Sequence, residues 1–335
     1  MPYPSPFPPP STHPLPVPHP ASLPRAVHAI APPSPSEHNP PVPDHVSVGL
    51  LPDLGLRVVF ARVGDTARAS RALHGLAQTS AYLFAQALAA AALFGATQRA
   101  GGRANLQIVC DGPLRGLLVD AEPDGALRGY VRVPGVHFAG DPERAARAAL
   151  GGQGHLAVRL DPGDGTHQRS LLDLRARSLP EDLRRWFATS HVAAAAADVA
   201  VVPRGDEPLG DVAGILVQQV DDEESDAIAA ARARVAAGAL GRSLAAGLPA
   251  GEVIAAVAGA GFELHADVEA AYRCGCSPAR ARVAVSALGP SGIAEILGAE
   301  RKATITCEFC RQQYVLGPEE LEEIARRLQE QGAGG

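Results

Sequence analysis

Lysine is almost missing from this chain of 335 residues: Lys302 stands alone, in the run GAERKAT. A nucleotide-binding phosphate loop ends its Gly-rich turn in lysine, and a kinase carries one on a strand; neither pattern is present. The same scarcity argues against Schiff-base chemistry, which needs a lysine amine as nucleophile. Long apolar runs are missing too. The Ala-rich stretches are broken by Arg or Gly well short of the roughly 20 apolar residues that a bilayer span requires. No cationic patch followed by an apolar core opens the chain, so no secretory signal is expected and a cytoplasmic location is. Cations are not in excess: 30 Lys and Arg face 36 Asp and Glu, for a net charge of −6. A nucleic-acid partner, which selects for cations that displace counterions from phosphate, is therefore not expected. Neither G-x-S-x-G nor H-E-x-x-H occurs. No enzyme class announces itself.

What the chain does have is unevenly spread. Residues 1–44 hold 17 of the 30 prolines, in repeated P-x-P spacing. Such a segment favours polyproline II or disorder, and a solvated tail is its ordinary role. Its histidines (His13, His19, His28, His38 and, just beyond, His45) are scattered and suggest no metal site. From His45 the texture becomes that of a folded domain. Strands are expected over 56–61, 106–110, 114–119, 129–133, 156–160, 199–202 and 214–220, where β-branched and aromatic residues gather between Gly, Pro and Asp turns. Leu73 to Phe94 is apolar on most sides, which predicts a helix buried all round and closed by Gly95. A second helix is expected from Leu179 to Ala197. The fold class is α+β: a mixed domain over 45–220, its sheets set around a buried helix.

A helical linker over 221–262 follows. The acidic run from Asp221 to Asp226 suits a helix N-terminus, and the helix Ala227 to Leu248 carries Gly238, Gly241 and Gly247. Each interior Gly costs about 1 kcal/mol relative to Ala, so this helix is weakly held.

Four of the five cysteines fall in the last segment, 263–335. Cys274-Gly275-Cys276 and Cys307-Glu308-Phe309-Cys310 form a C-x-C and a C-x-x-C separated by 30 residues. Paired spacing of this kind reads as a zinc site, with four thiolates in a tetrahedron at about 2.3 Å. Ser277 and Pro278 are good N-cap and first-turn residues for a helix ending near Gly289. Ile293, Ile296 and Leu297 suggest a short second helix. Thr304–Thr306 and Tyr314–Leu316 flank the C-x-x-C as a hairpin, and a last helix begins at Pro318. A structural zinc that staples a small domain is the plain reading. C-x-C is unusual in that role, and zinc thiolates remain open to oxidants. Oxidation to disulfides would expel the metal and with it the free energy that folds the domain.

At these cysteines the sequence resembles a known family, the redox-regulated 33 kDa chaperonins. Asp267-Val268-Glu269 leading into Cys274-Gly275-Cys276, and then Cys307-Glu308-Phe309-Cys310, carry the resemblance most specifically. Asp111-Gly112-Pro113-Leu114-Arg115-Gly116, Arg128-Gly129-Tyr130-Val131 and Gly214-Ile215-Leu216-Val217-Gln218 support it. The resemblance runs from about Val46 to Ile324. It implies an inactive reduced form with zinc on Cys274, Cys276, Cys307 and Cys310. On oxidation it implies disulfides Cys274–Cys276 and Cys307–Cys310, zinc release, an unfolded linker, and ATP-independent holding of unfolding client proteins by a homodimer. The chain departs from the family in its proline-rich tail, its Ala/Gly-rich linker and the extra Cys110. Cys110 closes an apolar strand pattern and is expected to be a buried, inert thiol. His265 could replace one sulfur, though four cysteines suffice. Trp186-Phe187 beside two arginines could stack on bases, but core packing is the ordinary explanation. The rival function is a zinc ribbon that binds nucleic acid, against which stands the mix of arginines and glutamates around the cysteines.

Overall fold

A computed structural model describes residues 43–189, 194–221 and 224–333. The proline-rich stretch, to residue 42, therefore lies outside the described residues, as do Asp222 and Glu223 of the acidic run. The first strands, β1 (His45–Leu51) and β2 (Leu56–Arg62), form a hairpin across a 3-10 turn that Gly55 closes at φ 60°. Then come α1 (Gly64–His74) and α2 (Gln78–Gly95). Asp44 sets the start of α1, its carboxylate accepting from the Asp65 and Thr66 amides at 3.1 and 2.6 Å. The helix expected from Leu73 to Phe94 is thus two helices. Gly75, at φ 60°, ends α1, and the Leu76 amide reaches back to the Arg71 carbonyl at 3.0 Å, a Schellman closure.

Three strands follow, β3 (Arg103–Cys110), β4 (Gly116–Ala121) and β5 (Ala126–Val131), then α3 (Pro142–Leu150), β6 (Gly154–Asp161), β7 (Gln168–Asp173) and α4 (Leu179–Thr189). The next strands are β8 (Ala195–Arg204) and β9 (Glu207–Gln219). Helix was expected as far as Ala197, yet Ala195–Ala197 pair with Gln218–Leu216 in the sheet. Alanine's helical preference is a weak prior, and ladder pairing beside a buried sheet face overrides it. Residues 190–193 of that expected helix are outside the described ones.

The linker region is three helices rather than one: α5 (Asp226–Ala236), α6 (Ala239–Ala245) and α7 (Ala250–Val257). Gly238 at φ 74° divides the first two. After them lie β10 (Glu263–Glu269), β11 (Ala271–Tyr272), α8 (Pro278–Ser286), α9 (Gly289–Ala299), β12 (Ala303–Thr306), β13 (Gln313–Leu316) and α10 (Pro318–Ala333).

Two larger sheets result, in the orders β10-β1-β2-β9-β8 and β11-β5-β4-β3-β6-β7, with β12-β13 as a separate hairpin. The buried helix is α2, lying in the core shared by both sheets, with 16 of its 18 residues buried. Its alanines let backbone come close: a Cβ on Gly214 of β9 would lie 3.2 Å from the Ala89 carbonyl oxygen. On the first sheet a separate apolar cluster joins Leu56, Val58, Phe60 and Ile215 to Ile228, Leu240 and Ile254 of α5–α7. The helical layer is a lid on that sheet.

Residues 263–272 were expected to belong with the zinc domain, and their pairing places them elsewhere. β10 runs antiparallel to β1, with Ser47 Oγ donating to Asp267 Oδ1 at 2.7 Å, and β11 runs parallel to β5. The chain passes over the β4–β5 turn at Gly125, where φ is +81° and a Cβ would lie 2.2 Å from the Glu269 carbonyl oxygen. Only glycine tolerates both conditions. This passage delivers Cys274 to the rim of the second sheet.

Candidate metal centre

Each half of the site is positioned by short-range chemistry. Ser277 caps α8, its side chain accepting from the Arg280 amide, and Pro278 occupies the first turn. The helix start thereby fixes the end of the C-x-C loop. Strands β12 and β13 pair from Ala303↔Leu316 to Thr306↔Gln313, with the C-x-x-C at the tip between them. The Cys307 amide donates to the Gln312 carbonyl at 2.9 Å and the Arg311 amide to the Cys307 carbonyl at 2.8 Å. Arg311 takes φ 59°, the left-handed turn that folds the tip back.

The four sulfurs meet. Sγ atoms of Cys274, Cys276, Cys307 and Cys310 all lie within 4.8 Å of one another. Sulfurs held about 2.3 Å from a common centre in a tetrahedron stand about 3.8 Å apart. Cys274 Sγ to Cys307 Sγ is 3.8 Å and Cys276 Sγ to Cys310 Sγ is 3.3 Å. The quartet is therefore positioned to hold a metal ion, and an all-sulfur donor set suits a soft or borderline cation. All four residues are half-buried. A polar recess of about 450 Å³, lined by Asp120, Arg128, Arg273, Cys274 and Arg280 among others, opens beside the first loop.

The thiols are not equivalent. Tyr314 Oη donates to Cys276 Sγ at 3.0 Å and holds that thiol down to about 7, so its thiolate forms near neutrality. Burial pushes the Cys274 thiol up, and pushes Cys310 up to about 12. Metal coordination and oxidation both act on thiolates, and the Tyr314 hydroxyl eases formation of the thiolate at Cys276.

The remaining candidate residues lie elsewhere. Cys110 is 7% exposed in the main core, with its thiol raised by burial. His265 lies in β10, outside the sulfur quartet. Trp186 and Phe187 are both 4% exposed and pack on Phe94, with ring centroids 4.9 and 5.5 Å away, which is core packing. Tyr314, Tyr272, Arg128 and Phe309 surround the sulfurs, although no spacing rule selects them. Among the described residues no helix is long and apolar enough to cross a membrane.

A family model described as Hsp33 protein matches residues 44–317. The chain belongs to the Hsp33 family. Curated relatives are named 33 kDa chaperonins. That of Gloeobacter violaceus is 29% identical over 270 residues, covering 77% of this chain and 88% of its own length. That of Geobacillus sp. is 26% identical over 287 residues, covering 84% and 97%. The crystal structure of the 33 kDa chaperonin from Thermotoga maritima superposes with TM-score 0.73 at 24% identity, over 85% of this chain and 98% of that one, and shows the same fold. Family membership supports a chaperone function, and relatives named as chaperonins accord with a protein that is not an enzyme.

Proposed function

We propose that this Hsp33-family chain is an ATP-independent holdase, inactive when reduced and switched on by oxidation. In the reduced state Cys274, Cys276, Cys307 and Cys310 hold Zn²⁺ as thiolates. The observation that carries this reading is the contrast between the quartet and the lobe around it. The apolar cluster of that lobe has five buried members, Val285, Ile293, Ala303, Leu316 and Leu321. So small a core needs a further source of folding free energy, and bound zinc supplies it by cross-linking the two loops.

Oxidation withdraws that support. The Cys276 thiolate attacks peroxide, giving a sulfenic acid and hydroxide. The Cys274 thiolate then displaces hydroxide from that sulfur, and the Cys274–Cys276 disulfide forms. Cys307 and Cys310 react in the same way with a second peroxide, so each disulfide consumes two thiolates and one peroxide and releases two hydroxide ions. With all four sulfurs in disulfides, no thiolate remains to hold the cation. The lobe then unfolds, and the loss propagates along the chain through β10 to α5–α7. Those helices are short and Gly-interrupted, and such helices are marginal without packing. Their release bares Leu56, Val58, Phe60 and Ile215 on the first sheet together with their own apolar faces. These surfaces take unfolding client proteins in the cytoplasm, with the oxidised chain acting as a homodimer. In this scheme 45–220 is the client-binding domain, 221–262 the linker, and the segment from Arg273 onward the switch.

Hydrogen exchange tests the sequence of events. Oxidation is expected to strip protection from 226–257 and 273–333 while α2 and strands β3, β4 and β6 keep it. Unchanged protection in the lobe and helical layer would contradict the switch.

A further inference from the structure

The C-x-x-C loop does not stand free of the second sheet. Phe309, between Cys307 and Cys310, lies beneath the Arg128 guanidinium, whose Cζ is 4.5 Å from the ring centroid. Tyr130 meets the same ring edge-on, at 5.6 Å between centroids and 74°. Arg128 is fixed before it reaches the ring. Its Nε and Nη2 donate to Asp120 Oδ2 at 3.0 and 2.9 Å, and Asn105 holds the other carboxylate oxygen at 2.7 Å. A guanidinium so oriented spends little entropy on the stacking contact.

The backbone of the loop is held as well. Tyr272 Oη donates to the Phe309 carbonyl and also lies 2.6 Å from the Gly129 carbonyl on β5. His74 Nε2 is 3.0 Å from the same hydroxyl, while His74 Nδ1 is buried without a hydrogen-bond partner. The hydrogen bonds assign the proton to Nε2, because an orphaned N–H costs more than an orphaned lone pair. His74 therefore donates to Tyr272, leaving one phenolic proton for two carbonyls. When Phe309 leaves, that proton turns to Gly129. Undocking strands no buried donor.

We propose that Phe309, Arg128 and Tyr272 form a latch that docks the C-x-x-C loop on the second sheet and sets how readily the thiolate quartet is oxidised. Arg128 and Tyr272 act as positioning residues, and the latch rests on the zinc-thiolate reading above. Cys307 Sγ and Cys310 Sγ, within 4.8 Å in this structure, must close to about 2 Å in a disulfide, and in the latch that movement turns residues 308 and 309 and lifts the ring and the carbonyl from their partners. Contacts made only in the reduced form stabilise it against oxidation, since a ligand or contact shifts an equilibrium by its difference between the two states.

The test is zinc release from the full chain at fixed peroxide, followed with a chromophoric chelator. Phe309→Leu, Arg128→Met and Tyr272→Phe are each expected to speed release roughly 3- to 10-fold, the scale of one stacking or hydrogen-bond contact. Phe309→Tyr, which keeps the ring face, is expected to restore the wild-type rate. The double variant of Phe309→Leu with Arg128→Met should fall short of the product of the two single effects, because both break the stacking contact, while Arg128→Met also removes a guanidinium that faces the Cys274 sulfur. Unchanged rates in the single variants, or fully additive effects in the double, would overturn the latch while leaving the switch intact. A wild-type chain that binds no zinc would overturn both. Hydrogen exchange on the unmodified protein gives a second readout that no folding defect can confuse. Residues 126–131 should lose protection in step with zinc release, and protection that persists after release would overturn the latch.

Discussion

Cys274 Sγ stands 3.8 Å from Cys307 Sγ, across the two loops, just as Cys276 faces Cys310 at 3.3 Å. Crosswise contact is what a shared metal requires, and it poses a choice on oxidation. A disulfide across the loops would close a ring of more than 30 residues and stabilise the lobe by roughly 3–4 kcal/mol. Disulfides within each loop leave the lobe free to unfold. The proposed switch uses the pairing that the family resemblance implies, Cys274–Cys276 and Cys307–Cys310. Trypsin cuts between the loops after Arg280, Arg282 and Arg301. Mass spectrometry of the oxidised digest should find the two cysteine peptides separate, and a joined pair would count against the mechanism.

Replacing all four cysteines by serine is expected to abolish stoichiometric zinc, as read by metal analysis. The same variant should show a lobe without exchange protection under reducing conditions, because the five-member core cannot hold it alone.

Cys110→Ala should keep full zinc content and the same peroxide response. The thiol is buried in the main core with a raised pKa, so it is a poor nucleophile. A loss of about 1 kcal/mol in denaturant melts is the expected cost of the removed sulfur.

Asp198 gives the N-terminal domain a pH signature. Its carboxyl is pushed up to about 6 by burial, against which Arg184 at 2.9 Å compensates only in part. The folded state thus keeps a proton that the unfolded state gives up near pH 4. Stability from this group is greatest at low pH and falls as pH rises through the window from about 4 to 6. Relative to Asp198→Asn, the wild-type protein should lose up to about 3 kcal/mol across that window. Parallel denaturant titrations of the two proteins at pH 4, 5, 6 and 7 check the sign.

What was legible in the sequence follows from the range of the interactions involved. Ser277, Pro278, the strands flanking the C-x-x-C and the helix from Pro318 are local signals, and all form where their spacing places them. The buried α2 announced itself by composition, but its break from α1 at Gly75 did not, since an isolated glycine in an apolar run reads equally as interior. β10 gave no signal because an edge strand exposed along most of its length shows no alternation. The sequence pattern alone therefore groups residues 263–272 with the cysteines. The partners of the sulfurs were hidden for another reason. Tyr272 meets Gly129 across 143 residues, and Tyr314 meets Cys276 across 38, contacts that only tertiary folding creates. Even so, Arg128-Gly129-Tyr130-Val131 stood out by resemblance before its place beneath the C-x-x-C loop gave it a physical role.

Oxidation is expected to turn client binding on. Its most direct measurement is light scattering of a heat-denatured client protein, with no nucleotide present, mixed with either the reduced zinc-loaded chain or the peroxide-treated chain. Suppression of aggregation by the oxidised chain alone, reversed by reduction in the presence of zinc, is the expected result. Equal suppression by both forms, or none by either, would contradict it.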